Sequence, residues 1–155
     1  MMTEKSKIIY ILVILWIVIG VLFIGTAVQK ISEYLNVIDS FGGFGSPDDI
    51  TKSMTFSYVV YTTQFIIIIA LSFILAYSSF RKKSQSWLIG IILSSFLIHF
   101  VVQAIYFIGF AIIRENFGLI FSNFEYITYM LMLFIVPCVI FILTRPKVKE
   151  YFGKT

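Results

Sequence analysis

The sequence predicts an all-α integral membrane protein: a single domain over 1–155 whose four transmembrane helices form an antiparallel bundle with both termini in the cytoplasm (N-in/C-in). Three observations predict it. Of the 155 residues, 59% are apolar, 18% aromatic and only 13% charged, far from the usage of soluble domains. Four stretches, 8–29, 53–80, 84–113 and 126–144, contain no Asp, Glu, Lys or Arg. Each reaches the ~18–20 residues that cross about 30 Å of hydrocarbon at about 1.5 Å per residue. Thirdly, the basic residues alternate between connections. Lys5 and Lys7 precede the first span, Arg81, Lys82 and Lys83 separate the second from the third, and Arg145, Lys147, Lys149 and Lys154 follow the fourth. The intervening connections mix Lys30 and Lys52 with Glu33, Asp39, Asp48 and Asp49, and Arg114 with Glu115. Lys and Arg concentrate in cytoplasmic loops, which sets the orientation and makes the protein multi-pass in the cell membrane. Topology therefore explains the net charge of +4, and no nucleic-acid partner is expected. Transmembrane strands would alternate in polarity over about ten residues, and runs such as IIIIALSFILA do not.

The first span, 8–29, follows two lysines as a signal peptide would, but its ~20 apolar residues exceed the usual apolar core of a leader, and GTAVQ is a weak cleavage site. An outer loop, 30–52, comes next. Ile31, Tyr34, Leu35 and Ile38 fall at i, i+3, i+4 and i+7, so the helix is expected to continue past the membrane surface with an amphipathic face. FGGFG then supplies a glycine-rich turn, without the preceding strand and following lysine-bearing helix of a phosphate cradle. SPDDI reads as a helix start, with Ser46 as N-cap, Pro47 in the first position, and Asp48 and Asp49 favouring the helix dipole. Those acids are too few for a calcium or other metal site.

The second and third spans, 53–80 and 84–113, are joined by FRKKSQSW, short enough for a tight hairpin. Arg81, Lys82 and Lys83 are expected to contact anionic lipid there, at about 1 kcal/mol per residue. RENFGLIFSNFE leads into the fourth span as an interfacial segment, and Glu125 is expected near the outer headgroups, close to Arg114. A coupling carboxylate for a transported proton or cation is the sharper reading of Glu125. The fourth span, 122–144, contains Pro137, which removes one backbone donor. The tail, 145–155, is short and basic, with Tyr151 and Phe152 free to rest on the membrane or a neighbour.

The buried polar groups define the candidate site. His99 is the only histidine, and an ionisable group within a span suggests function. On the third helix Ser95, His99, Gln103 and Tyr106 lie within about 80° of arc, and on the second so do Ser57, Tyr61, Gln64 and Ser72. In an antiparallel hairpin, residues whose numbers sum to about 165 share a depth. Gln64 thereby meets His99, Tyr61 meets Gln103, Ser57 meets Tyr106, and Ser72 meets Ser95. Such a polar seam fixes which faces pair, and it can also touch a ligand, quinone, proton or ion.

Catalytic residues are not identified: G-x-S-x-G and H-E-x-x-H are both absent, and an enzyme acting alone is not expected. The single cysteine, Cys138, excludes an intrachain disulfide and a CxxC redox pair. Bis-histidine haem ligation would need a second chain. Met130 and Met132 point about 200° apart on a helix, which argues against shared copper. No cofactor and no metal are expected. Nine Lys to three Arg with abundant Ile suggest an AT-rich prokaryotic genome. The function expected from this pattern is a non-catalytic accessory or assembly subunit of a larger membrane complex, with membrane lipids and other subunits, or further copies of itself, as partners. The alternatives are a small oligomeric transporter or channel using the seam, and a redox or quinone-binding membrane subunit.

Overall fold

The structure, a computed structural model, describes residues 4–42, 48–113 and 123–153. All regular structure in it is helical: α1 (Glu4–Gly42), α2 (Asp48–Phe80), α3 (Gln85–Ile113), α4 (Phe124–Thr144) and the short α5 (Pro146–Tyr151). The first four are long and apolar enough to cross a membrane. The expected helix start at Ser46 and Pro47, most of the glycine-rich turn, and the segment 114–122 with Arg114 lie outside the described residues.

A repeating spacing selects the faces that meet. On α1 the buried residues are Ile9, Leu12, Trp16, Ile19, Phe23 and Thr26, three and four apart in alternation. The same spacing runs through Phe65, Ile68, Ser72, Leu75 and Ser79 on α2, Leu93, Leu97, Phe100 and Ala104 on α3, and Met132, Val136, Val139 and Leu143 on α4. An average repeat of 3.5 residues keeps one seam of each helix facing its neighbours along their shared length, as in coiled coils. Where lipid is as apolar as the core, such packing rather than water exclusion drives helix association.

The pairing is antiparallel and unequal. Tyr10 meets Phe80, Phe23 meets Phe65, and Tyr34 meets Tyr58, so α1 and α2 run against each other over the greatest length. Phe100 meets Tyr129 and Phe107 meets Tyr126, which pairs α3 with α4. Small residues permit the close crossings of α1: Gly20 lies under Phe73, Gly25 under Phe124, and Gly90 between Leu143 and Trp16. Despite their short link, α2 and α3 meet only along a short stretch.

The α2–α3 turn is tight because α2 ends in a left-handed cap. Lys82 has φ 55°, and the bonds Lys83 N–H to Ser78 O and Lys82 N–H to Ser79 O, both 3.1 Å, satisfy two of the last carbonyls. At the same end Pro146 offers no N–H to Ile142 O, which accepts instead from Arg145 N–H at 3.2 Å. Leu143 O takes the Trp87 indole N–H at 2.9 Å. The tail then folds back as α5, burying Val148 and Phe152 against α1 and α4. Phe152, expected on the membrane or a neighbour, is thus part of the core; only Tyr151 remains half-buried, under Lys82.

Candidate functional site

At the end of the bundle opposite α5, the crossing of α1 and α4 turns polar. Thr26 donates to Thr128 Oγ1 at 3.0 Å in the core. One turn further along α1, Gln29 Oε1 accepts the Glu125 backbone N–H at 3.2 Å; the same N–H reaches the N-cap side chain of Asn123 at 2.8 Å. Lys30 Nζ lies 2.6 Å from Glu125 Oε2 and 3.0 Å from Glu33 Oε2. Glu33 also accepts from Gln29 Nε2 at 2.8 Å, and Tyr129 OH donates to Glu125 Oε1 at 2.5 Å. Both carboxylate oxygens of Glu125 are engaged, and its side chain is only 12% exposed. Among the described residues, one ammonium shared by two carboxylates leaves the cluster with an excess negative charge.

Beside this cluster is a cavity of about 370 Å³. Lys30 and Glu125 close one side, Ser57, Tyr58 and Tyr61 of α2 another, Gln103 and Phe107 of α3 a third, and Tyr126 and Tyr129 of α4 complete it. The rings brace one another: Phe107 is 4.4 Å from Tyr126 and stacks on Tyr129 at 6.0 Å, centroid to centroid. Gln103 Oε1 is buried without a hydrogen bond. Towards the basic end the next layer is apolar, with Phe23, Phe65 and Phe100 at centroid separations of 5.0–6.4 Å.

The depth register expected for α2 and α3 is met: Phe65 and Phe100, whose numbers sum to 165, are in ring contact. The facing residues, however, are one step round each helix from the expected seam. His99 is exposed on the outside of the bundle, and its Nε2 pairs at 3.1 Å with Gln103 Nε2, four residues along the same helix, rather than with Gln64. Gln64 is half-buried. Ser95 bonds to its own helix at Ile91 O, 2.9 Å, and Ser72 is buried with its hydroxyl unpaired. Tyr106 is 70% exposed. Of the expected ladder, the cavity gathers Ser57, Tyr61 and Gln103; the expected pairs Gln64–His99 and Ser72–Ser95 do not form. The reason is physical: burying Phe65, Phe100, Leu97 and Ile68 together packs larger surfaces than the polar side chains offer, and turns Gln64 and His99 away from each other.

Glu125 lies at the N-terminal end of α4, and among the described residues its ion-pair partner is Lys30; Arg114 lies outside them. Lys30, Tyr58, Tyr126 and Tyr129 were not legible as site residues. A usable signal existed, since Lys30 and Glu125 each terminate a charge-free stretch and so lie at one depth. Arg81, Lys82 and Lys83 are all exposed, Arg81 over the Tyr77 ring at 5.5 Å and Lys82 over Tyr151 at 5.3 Å. Among the described residues no group of three or more His, Cys, Asp or Glu is placed to hold a metal ion. No protein family, curated protein or solved structure matches the chain.

Proposed function

We propose that the protein is a non-catalytic accessory subunit of a larger membrane complex, and that a transmembrane helix of its partner seats along the α2–α3 face. The observation that carries this reading is the open polar face: His99 exposed and Gln64 half-buried, both beside a thinly packed α2–α3 junction. In hydrocarbon an unpaired amide is costly. A neighbouring helix carrying Ser, Thr, Asn or Gln would satisfy these groups at about 0.6 kcal/mol per bond and fix its own register.

The charge and ring distribution supports the membrane frame. A slab of about 30 Å between the basic end and the level of Lys30 and Glu125 takes up about 20 residues of each helix. All nine tyrosines then fall near its two faces: Tyr10, Tyr77 and Tyr151 at the basic one, Tyr34, Tyr58, Tyr61, Tyr106, Tyr126 and Tyr129 at the other, as an aromatic belt requires. In the sequence, nine of the twelve Lys and Arg lie before the first span, in the α2–α3 link or after the fourth span. Under the positive-inside rule the basic end is cytoplasmic, both termini with it, and Arg81, Lys82 and Lys83 rest on anionic headgroups. The remainder of α1 and α2 projects beyond the outer face as a helix pair, with Ile31, Leu35 and Ile38 exposed. A transport route through the interior draws less support, because Phe23, Phe65 and Phe100 fill the axis.

The test is isolation of the tagged protein from native membranes in a mild detergent, for the wild type and for Gln64→Leu/His99→Leu. The expected result is a defined partner with the wild type, at least tenfold depleted with the double variant, whose own melting temperature is unchanged or higher because two lipid-facing polar groups are gone. Equal partner recovery from both, or a wild type that runs alone, contradicts the proposal.

A further inference from the structure

The cavity has properties that a helix-docking face does not need. Among the described residues its charged edge is not neutral: Lys30, the one ammonium there among them, is held at 2.6 and 3.0 Å by Glu125 and Glu33, so an entering anion meets a cation already balanced, and an entering cation meets the excess carboxylate. One buried polar atom of its lining residues, Gln103 Oε1, is an acceptor without a hydrogen bond, which an N–H or O–H donor would satisfy. Its walls are aromatic, from Tyr58, Tyr61, Phe107, Tyr126 and Tyr129, and ring faces attract cations. Its volume, about 370 Å³, is in the ~300–1,000 Å³ range of small-molecule sites. Tyr61, 53% exposed, marks an opening towards the lipid-facing side of α2.

From these features we infer that the cavity binds a primary organic ammonium ion carrying an apolar chain. The ammonium sits against the tyrosine faces and donates to Gln103 Oε1, Glu125 and Glu33 supply the attracting charge, and the chain leaves beside Tyr61 towards hydrocarbon. The inference stands apart from the partner reading, because Gln64 and His99 lie one turn deeper and outside the cavity wall.

The experiment is isothermal titration of the full chain in dodecylmaltoside micelles, which present neither ammonium groups nor fixed charge, with n-hexylammonium, n-hexyltrimethylammonium and n-hexanol. Saturable binding of n-hexylammonium is expected at least tenfold tighter than that of hexanol, with the quaternary ion between them because it cannot donate to Gln103. Gln103→Leu and Tyr61→Ala each leave the Lys30–Glu125 pair intact and are each expected to weaken n-hexylammonium binding about tenfold; Tyr61 is largely exposed, so its variant keeps the fold if the other loses it. Hexanol binding as well as the amine, n-hexyl phosphate binding better than either, or both folded variants binding like the wild type would overturn the inference. Adding phosphatidylethanolamine to the micelles separates two sources of the same chemistry: competition identifies a lipid headgroup, and amine binding that the lipid leaves unaltered identifies a free amine.

Discussion

Glu125→Ala lowers the stability of the bundle by about 3 kcal/mol, at the lower end of the range for breaking a buried ion pair. The carboxylate is the hub of the α1–α4 crossing: Lys30 and the Tyr129 hydroxyl both bond to it, and its backbone N–H is held by Gln29 and Asn123. Removing it leaves Lys30 22% exposed with Glu33 as its remaining partner, and strands the Tyr129 hydroxyl in the core. The lower value is chosen because Glu33 retains part of the ammonium's partnership. Lys30→Met/Glu125→Ala removes both charges together and is expected to recover more than half of the loss, since the carboxylate that remains, Glu33, is 34% exposed and keeps its bond from Gln29. Unfolding free energies in mixed micelles for the two singles and the double make the cycle. Additive losses would mean that the two groups do not act on each other.

Phe23→Ala costs about 2–2.5 kcal/mol, whereas Phe134→Ala changes stability by less than about 0.5 kcal/mol. Phe23 is fully buried and touches both Phe65 and Phe100; Phe134 is 71% exposed on the outer side of α4. The transfer of a ring from water does not enter, because lipid surrounds the bundle. What remains is the hole: deleting about 100 Å³ at ~24 cal/mol per Å³ gives the figure for Phe23. The same comparison in micelles measures it, and equal losses at the two positions would contradict the assignment of core and lipid faces.

Much of the fold was legible because it depends on length and charge. The charge-free stretches locate all four long helices, and the short basic link sets the depth register that Phe65 and Phe100 obey. Which face points inward was not legible from polarity. In a soluble helix the apolar side is the inner side, but here lipid and core are both apolar, so the polar stripe of Ser95, His99 and Tyr106 looked like an interior seam and is exposed on the outside of the bundle instead. The alternating three-four spacing from Ile9 to Thr26 carried the information. Chain proximity misled in the same way. The short basic link suggested a hairpin of α2 and α3 joined by a polar seam, but the glycine positions on α1, under Phe73 and Phe124, give α1 the closer contacts.

The site was legible in halves. Glu125 stood out as an acid at a helix end, and Gln103 and Tyr61 as polar groups within spans. Their assembly with Lys30 needed the closure of α1 on α4, two helices separated by most of the chain, and no local pattern reports it. Phe152 was unreadable for a related reason: a short basic tail has the composition of a free end, and only the turn at Pro146 brings its ring back onto the core.

The central claim, that the α2–α3 face is covered by another subunit's helix, is tested most directly by site-specific photo-crosslinking in native membranes. A benzophenone side chain is placed in turn at Tyr106 and Ile98 on α3, and at Phe134 and Phe141 on α4, all of them exposed. The account predicts one crosslinked product from the α3 positions, larger than the chain by the mass of a different polypeptide, and none above background from α4. Crosslinks of equal yield from both helices, lipid adducts alone, or a product only at twice the mass of the chain would contradict it.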